Sequence, residues 1–209
     1  MKRVDKIKFF LSWLLRVLLV VAIFFALLNY NWINLVLAVF TLVLTFLPSI
    51  IEKRIKIDYP SEFEILISVF ILASLYLGEI HSFYHVFWWW DLMLHTFSGV
   101  IIGIIGFSLV NILNVEKKTT LKLSPAFVAF FSFSFAISIG VMWEIFEFFM
   151  DTTFGFNMQK SGLVDTMWDL IVDALGAFVI SAIGYFYLKK DITIVERIGE
   201  IFLKIKFFK

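Results

Sequence analysis

The sequence predicts an all-α fold, a polytopic bundle of six transmembrane helices in a single integral membrane domain, residues 1–209. The 209 residues are 61% hydrophobic and 17% charged, with a mean hydropathy of +0.95, and a soluble core could not hide so much apolar surface. The apolar stretches also recur near the ~20-residue length that crosses a ~30 Å hydrocarbon core. We expect spans at about 9–30, 31–51, 63–80, 92–113, 123–150 and 166–188.

The first and third stretches need separate justification. The first is too long for a removable signal peptide and lacks a small-residue cleavage site, so it should remain as a span. Within it, Arg16 is expected to extend to the cytoplasmic headgroups. The uncharged run of the third stretch, Ile65 to Gly78, has only 14 residues, so it spans fully if its helix continues through His81 toward Trp88. The alternative is a five-helix protein whose third segment is re-entrant.

The loops alternate in basic charge, which predicts their sides of the membrane. Every Lys and Arg except Lys160 falls on one side, which the positive-inside rule makes cytoplasmic. We therefore expect a multi-pass protein of the cytoplasmic membrane with both termini in the cytoplasm. The cytoplasmic tail, 189–209, fits an amphipathic helix on the inner surface or a solvated end. The inner segments are 1–8, 52–62, 114–124 and 189–209, and the outer ones are 29–34, 79–91 and 151–165.

Composition also limits partners and chemistry. There is no cysteine and no Gly-x-Ser-x-Gly, so thiolate metal sites and these nucleophile motifs are excluded. We expect the lipid bilayer as the principal partner and no nucleic acid; the sequence predicts no oligomeric state. The run Trp88, Trp89 and Trp90 is typical of an interfacial aromatic belt, with an aromatic ligand cage as the alternative.

The acids of the outer half outnumber the available cations. Lys160 and the histidines His81, His85 and His95 are the only basic groups there. So many carboxylates cannot all stay ionised in a low dielectric, so some must be protonated or must bind cations. The acids are Glu79, Asp91, Glu144, Glu147, Asp151, Asp165, Asp169 and Asp173.

Three helices bring polar groups to similar depths. Counting inward at 1.5 Å per residue puts His95 and Asp169 roughly 6 Å deep, and Glu144 and Asp173 roughly 10–12 Å deep. Glycine and other small residues recur on the same helix faces, at Gly99 for example, and such faces pack against other transmembrane helices. The acids should therefore point into the bundle.

Some of these residues have simple structural explanations. Asp91 and Asp165 could be N-caps of their helices, and Asp169 is near enough to a helix start to gain from the dipole. His95 could be a hydrogen-bonded interior histidine, and His81 and His85 fit a solvated loop. Acids near a helix C-terminus are opposed by the dipole, and an acid two turns into a helix gains little from it. The weakest structural explanations thus belong to Glu144, Glu147, Asp151 and Asp173.

Carboxylates and a histidine gathered from several helices of a bundle are typical of a divalent metal site. The Glu-x-x-His pairs of di-iron bundles are absent, so zinc, magnesium or manganese is favoured over iron. The expected ligands are His95, Glu144, Glu147, Asp169 and Asp173. Of these, Glu144, Glu147 and Asp173 are the expected catalytic residues, and the second tier is Asp91, Asp151, Asp165 and Glu79.

The acids fall within three motifs: Trp90-Asp91-Leu92-x-x-His95-x-x-Ser98-Gly99, Trp143-Glu144-x-x-Glu147, and Asp165-Thr166-x-x-Asp169-Leu170-x-x-Asp173-x-x-Gly176. Over nearly the whole chain this pattern resembles the uncharacterised YjdF-like inner-membrane proteins. A more distant resemblance is to VanZ-like proteins, which are linked to glycopeptide tolerance at the outer face of the membrane. Asp173 stands where VanZ-like proteins tend to have Asn. Both resemblances imply the membrane class and the location of the site.

Three functions are compatible with this pattern. The first is a metal-dependent membrane enzyme that acts on a lipid or lipid-linked substrate entering sideways from the bilayer. The second is a proton- or cation-coupled transporter. The third is a structural or partner-binding protein whose buried acids are protonated and hydrogen-bonded.

Overall fold

A computed structural model describes residues 3–47, 50, 54, 57–58, 61–115, 123–189, 198, 203 and 206–207. It confirms the all-α prediction, apart from a two-residue antiparallel pairing of β1 (Ile57–Asp58) with β2 (Lys206–Phe207). The helices are α1 (Arg3–Leu28), α2 (Trp32–Leu44), α3 (Ser61–Ile71, continued by the π-helix Leu72–Ile80), α4 (Phe83–Val86), α5 (Trp90–Val115), α6 (Pro125–Phe154) and α7 (Leu163–Lys189).

Among the described residues, five helices are long and apolar enough to cross a membrane. They confirm a polytopic membrane protein, in which large apolar side chains such as Phe130 (67% exposed) lie on helix surfaces. The five are Phe9–Leu28, Glu62–Ile80, Trp90–Asn111, Pro125–Phe154 and Leu163–Lys189.

The helix of the second predicted span is shorter than expected, and the helix of the third is long enough to cross a membrane. The described helix of the second, α2, has 13 residues, although the prediction ran from 31 to 51. The third is a continuous helix of sufficient length, which removes the length argument for a re-entrant segment. Its extra length lies before the uncharged run, where Ser61–Glu64 begins the helix, and not in a continuation through His81. The helix ends at Ile80, and Ser82 has a left-handed backbone, with φ of 61°.

The chain divides into two compact units, Met1–Trp90 with Lys204–Lys209, and Asp91–Leu203. In the first, Arg16 joins α1 to the end of α2. Its guanidinium donates to the hydroxyl and the carbonyl of Thr45, both at 3.2 Å, and lies 3.9 Å from the centre of the Phe46 ring. A cation at a helix C-terminus is favourable there because the final carbonyls carry negative partial charge. Arg16 therefore packs between the two helices, and its extension to the headgroups stays a prediction.

The three tryptophans of the predicted aromatic belt, which also belong to the first unit, differ in their exposure. Trp88 is 82% exposed, as a belt residue would be, and Trp89 is also exposed. Trp90 is buried, donates its indole N–H to the carbonyl of Ala73 at 3.2 Å, and packs edge-on against Phe83. The belt interpretation therefore suits Trp88 and Trp89, and Trp90 is a packing residue.

Two glycines of the second unit allow α5 and α7 to touch through their backbones. A Cβ on Gly99 would collide with the carbonyl oxygen of Asp173, and a Cβ on Gly176 would collide with the carbonyl oxygen of Thr96. A third glycine, Gly140 on α6, leaves room for the side chain of Asp173, since a Cβ there would lie 2.7 Å from its Oδ2. This close approach, typical of small residues in membrane helices, places Asp173 among the three helices.

The predicted amphipathic helix of the tail falls mostly outside the described residues, which after Lys189 include only 198, 203 and 206–207. Leu203 is 1% exposed.

Candidate functional site

Helix α6 presents one continuous buried face to its neighbours. The helix begins with an N-cap, in which the Ser124 hydroxyl accepts the N–H of Phe127 and Pro125 follows at the first helical position. Its buried residues then recur mostly at steps of four, which is the spacing of one helix face. These residues are Val128, Ser132, Ala136, Gly140, Glu144 and Glu147. The two glutamates are thus at the end of an otherwise small or apolar stripe.

The imidazole of His95 lies at the centre of the site and is 8% exposed. Its Nδ1 is 3.2 Å from Oδ2 of Asp173 on α7. The other carboxylate oxygen of Asp173 accepts a 2.5 Å hydrogen bond from the Ser98 hydroxyl. A carboxylate held in this way fixes the ring orientation of a histidine. The opposite ring nitrogen of His95, Nε2, is therefore directed away from Asp173.

Glu144 faces that opposite nitrogen and is 4% exposed. Its Oε1 is 3.9 Å from Nε2 of His95, which is too long for a hydrogen bond. The Thr166 hydroxyl of α7 lies beside this carboxylate. Neither carboxylate oxygen of Glu144 has a hydrogen-bond partner among the described residues. Buried polar atoms are rarely left so, which makes Glu144 the most informative acid of the site.

Asp169 completes a group that we call the histidine triad: His95, Glu144 and Asp169. One ligand atom from each residue lies within 4.8 Å of those of the other two, and Asp169 is 1% exposed. Ligands of a metal bound at about 2.0–2.2 Å lie somewhat closer together, so a small inward movement of side chains would be enough. Each member comes from a different helix.

Glu147 and Asp151 lie on the same face of α6 and accept hydrogen bonds from groups outside the histidine triad. Glu147 is buried and accepts the indole N–H of Trp143 at 2.9 Å, an i to i+4 contact within its own helix. Asp151 accepts the backbone N–H groups of Met158 and Gln159 at 2.7 and 2.8 Å, which fixes the loop between α6 and α7. Neither belongs to the histidine triad, so the expectation of Glu147 as a ligand stays a prediction.

Asp91 and Asp165 form a second group with Asp169, and their ligand atoms also lie within 4.8 Å of one another. Here a cation is already present, because the ammonium of Lys160 is 2.6 Å from Oδ2 of Asp91. The interpretation of both acids as N-caps is wrong. Asp91 and Asp165 lie inside the first turns of α5 and α7, which begin at Trp90 and Leu163.

The remaining sequence candidates belong to the first unit. Glu79 is near the end of the π-helix and is exposed. His81 is exposed and contacts the Tyr76 ring edge-on at 4.7 Å, and His85 is exposed in α4. These histidines fit the solvated surface expected of them.

Sequence reasoning gave no role to Ser98, Trp143 or the pairing of Lys160 with Asp91. Spacing could have indicated the first two, since Ser98 follows His95 by three residues and Trp143 precedes Glu147 by four, both on one helix face. Lys160 and Asp91 are 69 residues apart. No local signal predicts such a contact.

Known proteins resemble this chain over most of its length. A family model described as "Predicted membrane protein (DUF2238)" matches residues 10–190. A protein of Thermotoga maritima, described as an uncharacterized protein, is 29% identical over 141 residues, which cover 67% of this chain and 70% of that protein. No solved structure matches. The chain therefore belongs to the DUF2238 family of predicted membrane proteins, which is the YjdF-like family.

Proposed function

We propose that this protein is a divalent-metal-dependent enzyme of the cytoplasmic membrane that acts on a lipid or lipid-linked substrate. The observation that supports the proposal is Glu144, a buried carboxylate whose two oxygens have no hydrogen-bond partner among the described residues and which faces Nε2 of His95. An isolated buried carboxylate is costly, and a bound cation would remove that cost.

The donor set suits a particular class of ion. One imidazole and two carboxylates favour zinc or manganese over magnesium, which prefers oxygen ligands and retains several waters. Three protein ligands, His95, Glu144 and Asp169, leave a coordination position open, as catalytic sites require. The carboxylate of Asp173 on the other ring nitrogen is the outer partner that metal-binding histidines usually have.

A metal in this position supplies two kinds of chemistry, the activation of water and the polarisation of a phosphoryl or acyl oxygen. The protein's residues have the remaining roles. Asp173 and Ser98 hold the histidine ring, and Glu147 lies one turn from Glu144 as a further carboxylate for proton transfer. A lipid is the natural substrate because a site between membrane helices is reached from the bilayer.

The membrane arrangement belongs to the same proposal. We infer six spans in one integral membrane domain, with α2 as the second span and both termini in the cytoplasm. The distribution of Lys and Arg supports this orientation, which places Lys160 and the site toward the outer face. A reporter inserted between Phe154 and Gly162 should give an extracytoplasmic signal, and a cytoplasmic signal would overturn the orientation.

Metal analysis tests the enzyme proposal directly. Purified wild-type protein should carry about one zinc or manganese per chain. Glu144→Gln should lose it, while the control Glu62→Gln, the same change in the first turn of α3, should retain it. Metal-loaded protein in vesicles of bacterial phospholipid should then release phosphate or acyl groups, and a chelator or Glu144→Gln should abolish the release. Equal metal content in all three proteins would overturn the proposal.

A second candidate, a cation-coupled transporter, is favoured by one observation. The hydroxyl of Ser108, deep in α5, is buried without a hydrogen-bond partner among the described residues, and an unsatisfied polar group inside a membrane helix is a candidate for a functional role. Uptake of labelled cation into proteoliposomes, abolished by Ser108→Ala, would support it. If both metal binding and uptake are absent, the structural interpretation remains.

A further inference from the structure

The first compact unit contains a cavity of about 440 Å³, distant in sequence from the acidic site. Helix α1 supplies one wall through Val21, Phe25 and Ala26, and the π-helix contributes Tyr76 and Ile80. The volume is within the roughly 300–1,000 Å³ of typical small-molecule sites.

The polarity of the wall changes along α1. The apolar residues of the wall lie within the candidate span, which ends at Leu28. At the other end, the side chains of Asn29, Asn31 and Asn34 border the cavity, and His81 joins them. An apolar region that becomes polar at the limit of a membrane span matches a lipid, whose tail is apolar and whose head lies at the interface.

The charge of the lining narrows the class of lipid. Among the described residues that line the cavity, none is Asp, Glu, Lys or Arg. A phosphate would gain no fixed cation from these residues. Neutral amides instead suit hydroxyl groups. Asn29 donates its side-chain amide to the Phe25 carbonyl at 2.9 Å, and the side-chain oxygen of Asn31 accepts the backbone N–H of Asn34 at 3.1 Å. Because these two side chains are partly engaged within the turn, we assign the head-group contact to the side-chain amide of Asn34, which also lines the cavity.

The backbone around the cavity is irregular in three places. Leu72–Ile80 is a π-helix, a form that occurs frequently at functional sites. Tyr30, between α1 and α2, and Ser82, after His81, have left-handed backbones with φ of 52° and 61°. Such conformations are strained in non-glycine residues and persist where the surroundings determine them. All three irregularities adjoin the polar end of the cavity.

We infer that this cavity binds a lipid with an uncharged, hydroxyl-bearing head of the diacylglycerol class, with its acyl chain along α1 and its head at Asn34 and His81. The inference is independent of the proposed metal chemistry.

Photocrosslinking in proteoliposomes tests it, with a diacylglycerol that carries a diazirine on one acyl chain and with mass spectrometry of the labelled peptides. Label should concentrate on the α1 segment that contains Val21 to Ala26, and excess unlabelled diacylglycerol should displace it, whereas phosphatidylglycerol should not. Ala22→Phe, which fills the cavity, should lower this labelling about tenfold because the ring occupies the ligand's volume. The matched control is Val20→Phe, on the same helix but 54% exposed and outside the cavity.

Asn34→Leu tests the head-group contact separately, because it keeps the bulk of the side chain and removes the amide. Diacylglycerol should then lose its advantage over phosphatidylglycerol in the competition. Labelling that is spread along the exposed surface of α1, that neither lipid displaces, or that is equal in Ala22→Phe and Val20→Phe would overturn the inference.

Discussion

The acids on the two sides of the His95 imidazole differ in their hydrogen bonding. On the Nδ1 side, Asp173 is 3.2 Å away and its second oxygen accepts the Ser98 hydroxyl. On the Nε2 side, Glu144 is 3.9 Å away and its oxygens have no hydrogen-bond partner among the described residues. Both acids are buried to a similar degree. Burial alone therefore does not distinguish the two acids, whereas the lack of hydrogen-bond partners does.

A similar contrast separates the histidine triad from Asp91. The triad has no lysine or arginine ion pair among the described residues, while Asp91 is paired with Lys160. The triad therefore needs an external cation or protons, and Asp91 is compensated by the chain itself. The following predictions test these contrasts, from the largest expected effect to the smallest.

Removing the ring that both sides share should have the largest effect. We expect His95→Ala to weaken zinc or manganese binding by more than about 100-fold, beyond the usual range for an outer-partner change, because a direct ligand is lost. Isothermal titration with each metal measures this. His85→Ala, an exposed histidine of the first unit, is the control and should bind as wild type does. Equal affinities for the two variants would show that His95 is only an interior packing histidine.

Weakening the hydrogen bonds on the Nδ1 side of His95 should have an intermediate effect on metal affinity. Asp173→Asn keeps the shape of the side chain but removes the negative charge beside Nδ1, so metal affinity should fall about 10–100-fold with the chain still folded. Ser98→Ala should act in the same direction with a smaller effect, since it removes only the hydrogen bond to Asp173. The same titrations measure both variants. A larger loss for Ser98→Ala than for Asp173→Asn would contradict this order.

The backbone contact that places Asp173 can be tested through stability. Gly176→Ala should destabilise the protein by about 1–3 kcal/mol, because the new methyl group meets the rigid carbonyl of Thr96. Gly106→Ala is the control, since its methyl group would lie 3.0 Å from the Phe135 side chain, which needs to move only a few tenths of an ångström, and it should cost less. Thermal unfolding in detergent compares them. Equal losses would indicate that the helices adjust freely around α5.

Removing the charge of Lys160 should have the smallest effect on metal affinity, and it should raise the affinity instead of lowering it. Its side chain is 29% exposed, and such pairs contribute at most about 1 kcal/mol. Lys160→Met should raise divalent-metal affinity by up to about fivefold at low salt, and high salt should reduce the gain. Lys189→Met, which removes a lysine that lies over the Tyr185 ring, is the control and should change nothing. A weaker affinity in Lys160→Met would mean that the lysine positions the site.

Much of this arrangement was predictable from local pattern. The recurrence of small residues on helix faces, at Gly99 for example, predicted faces that pack against other helices, and a Cβ on Gly99 would collide with the Asp173 carbonyl of α7. The weak point was length. Hydropathy drew attention to the short uncharged run of the third segment, but the described helix of the second segment is the shorter one. Helix ends depend on caps and turns such as the left-handed Ser82, which hydropathy does not detect.

The sequence by itself determined the membrane class, the main helices and four of the buried acids, Glu144, Glu147, Asp169 and Asp173, because hydrophobicity and helical period are properties of neighbouring residues. Only the tertiary structure decided which acids are satisfied. Asp173 meets Ser98 and His95 across 75 and 78 residues, and Asp151 meets the backbone of its following loop. Glu144, of the same residue type and on the same face as Glu147, has no such partner. Hydrogen bonds between helices depend on how the helices pack, and that packing separates Glu144 from Glu147, Asp151 and Asp173.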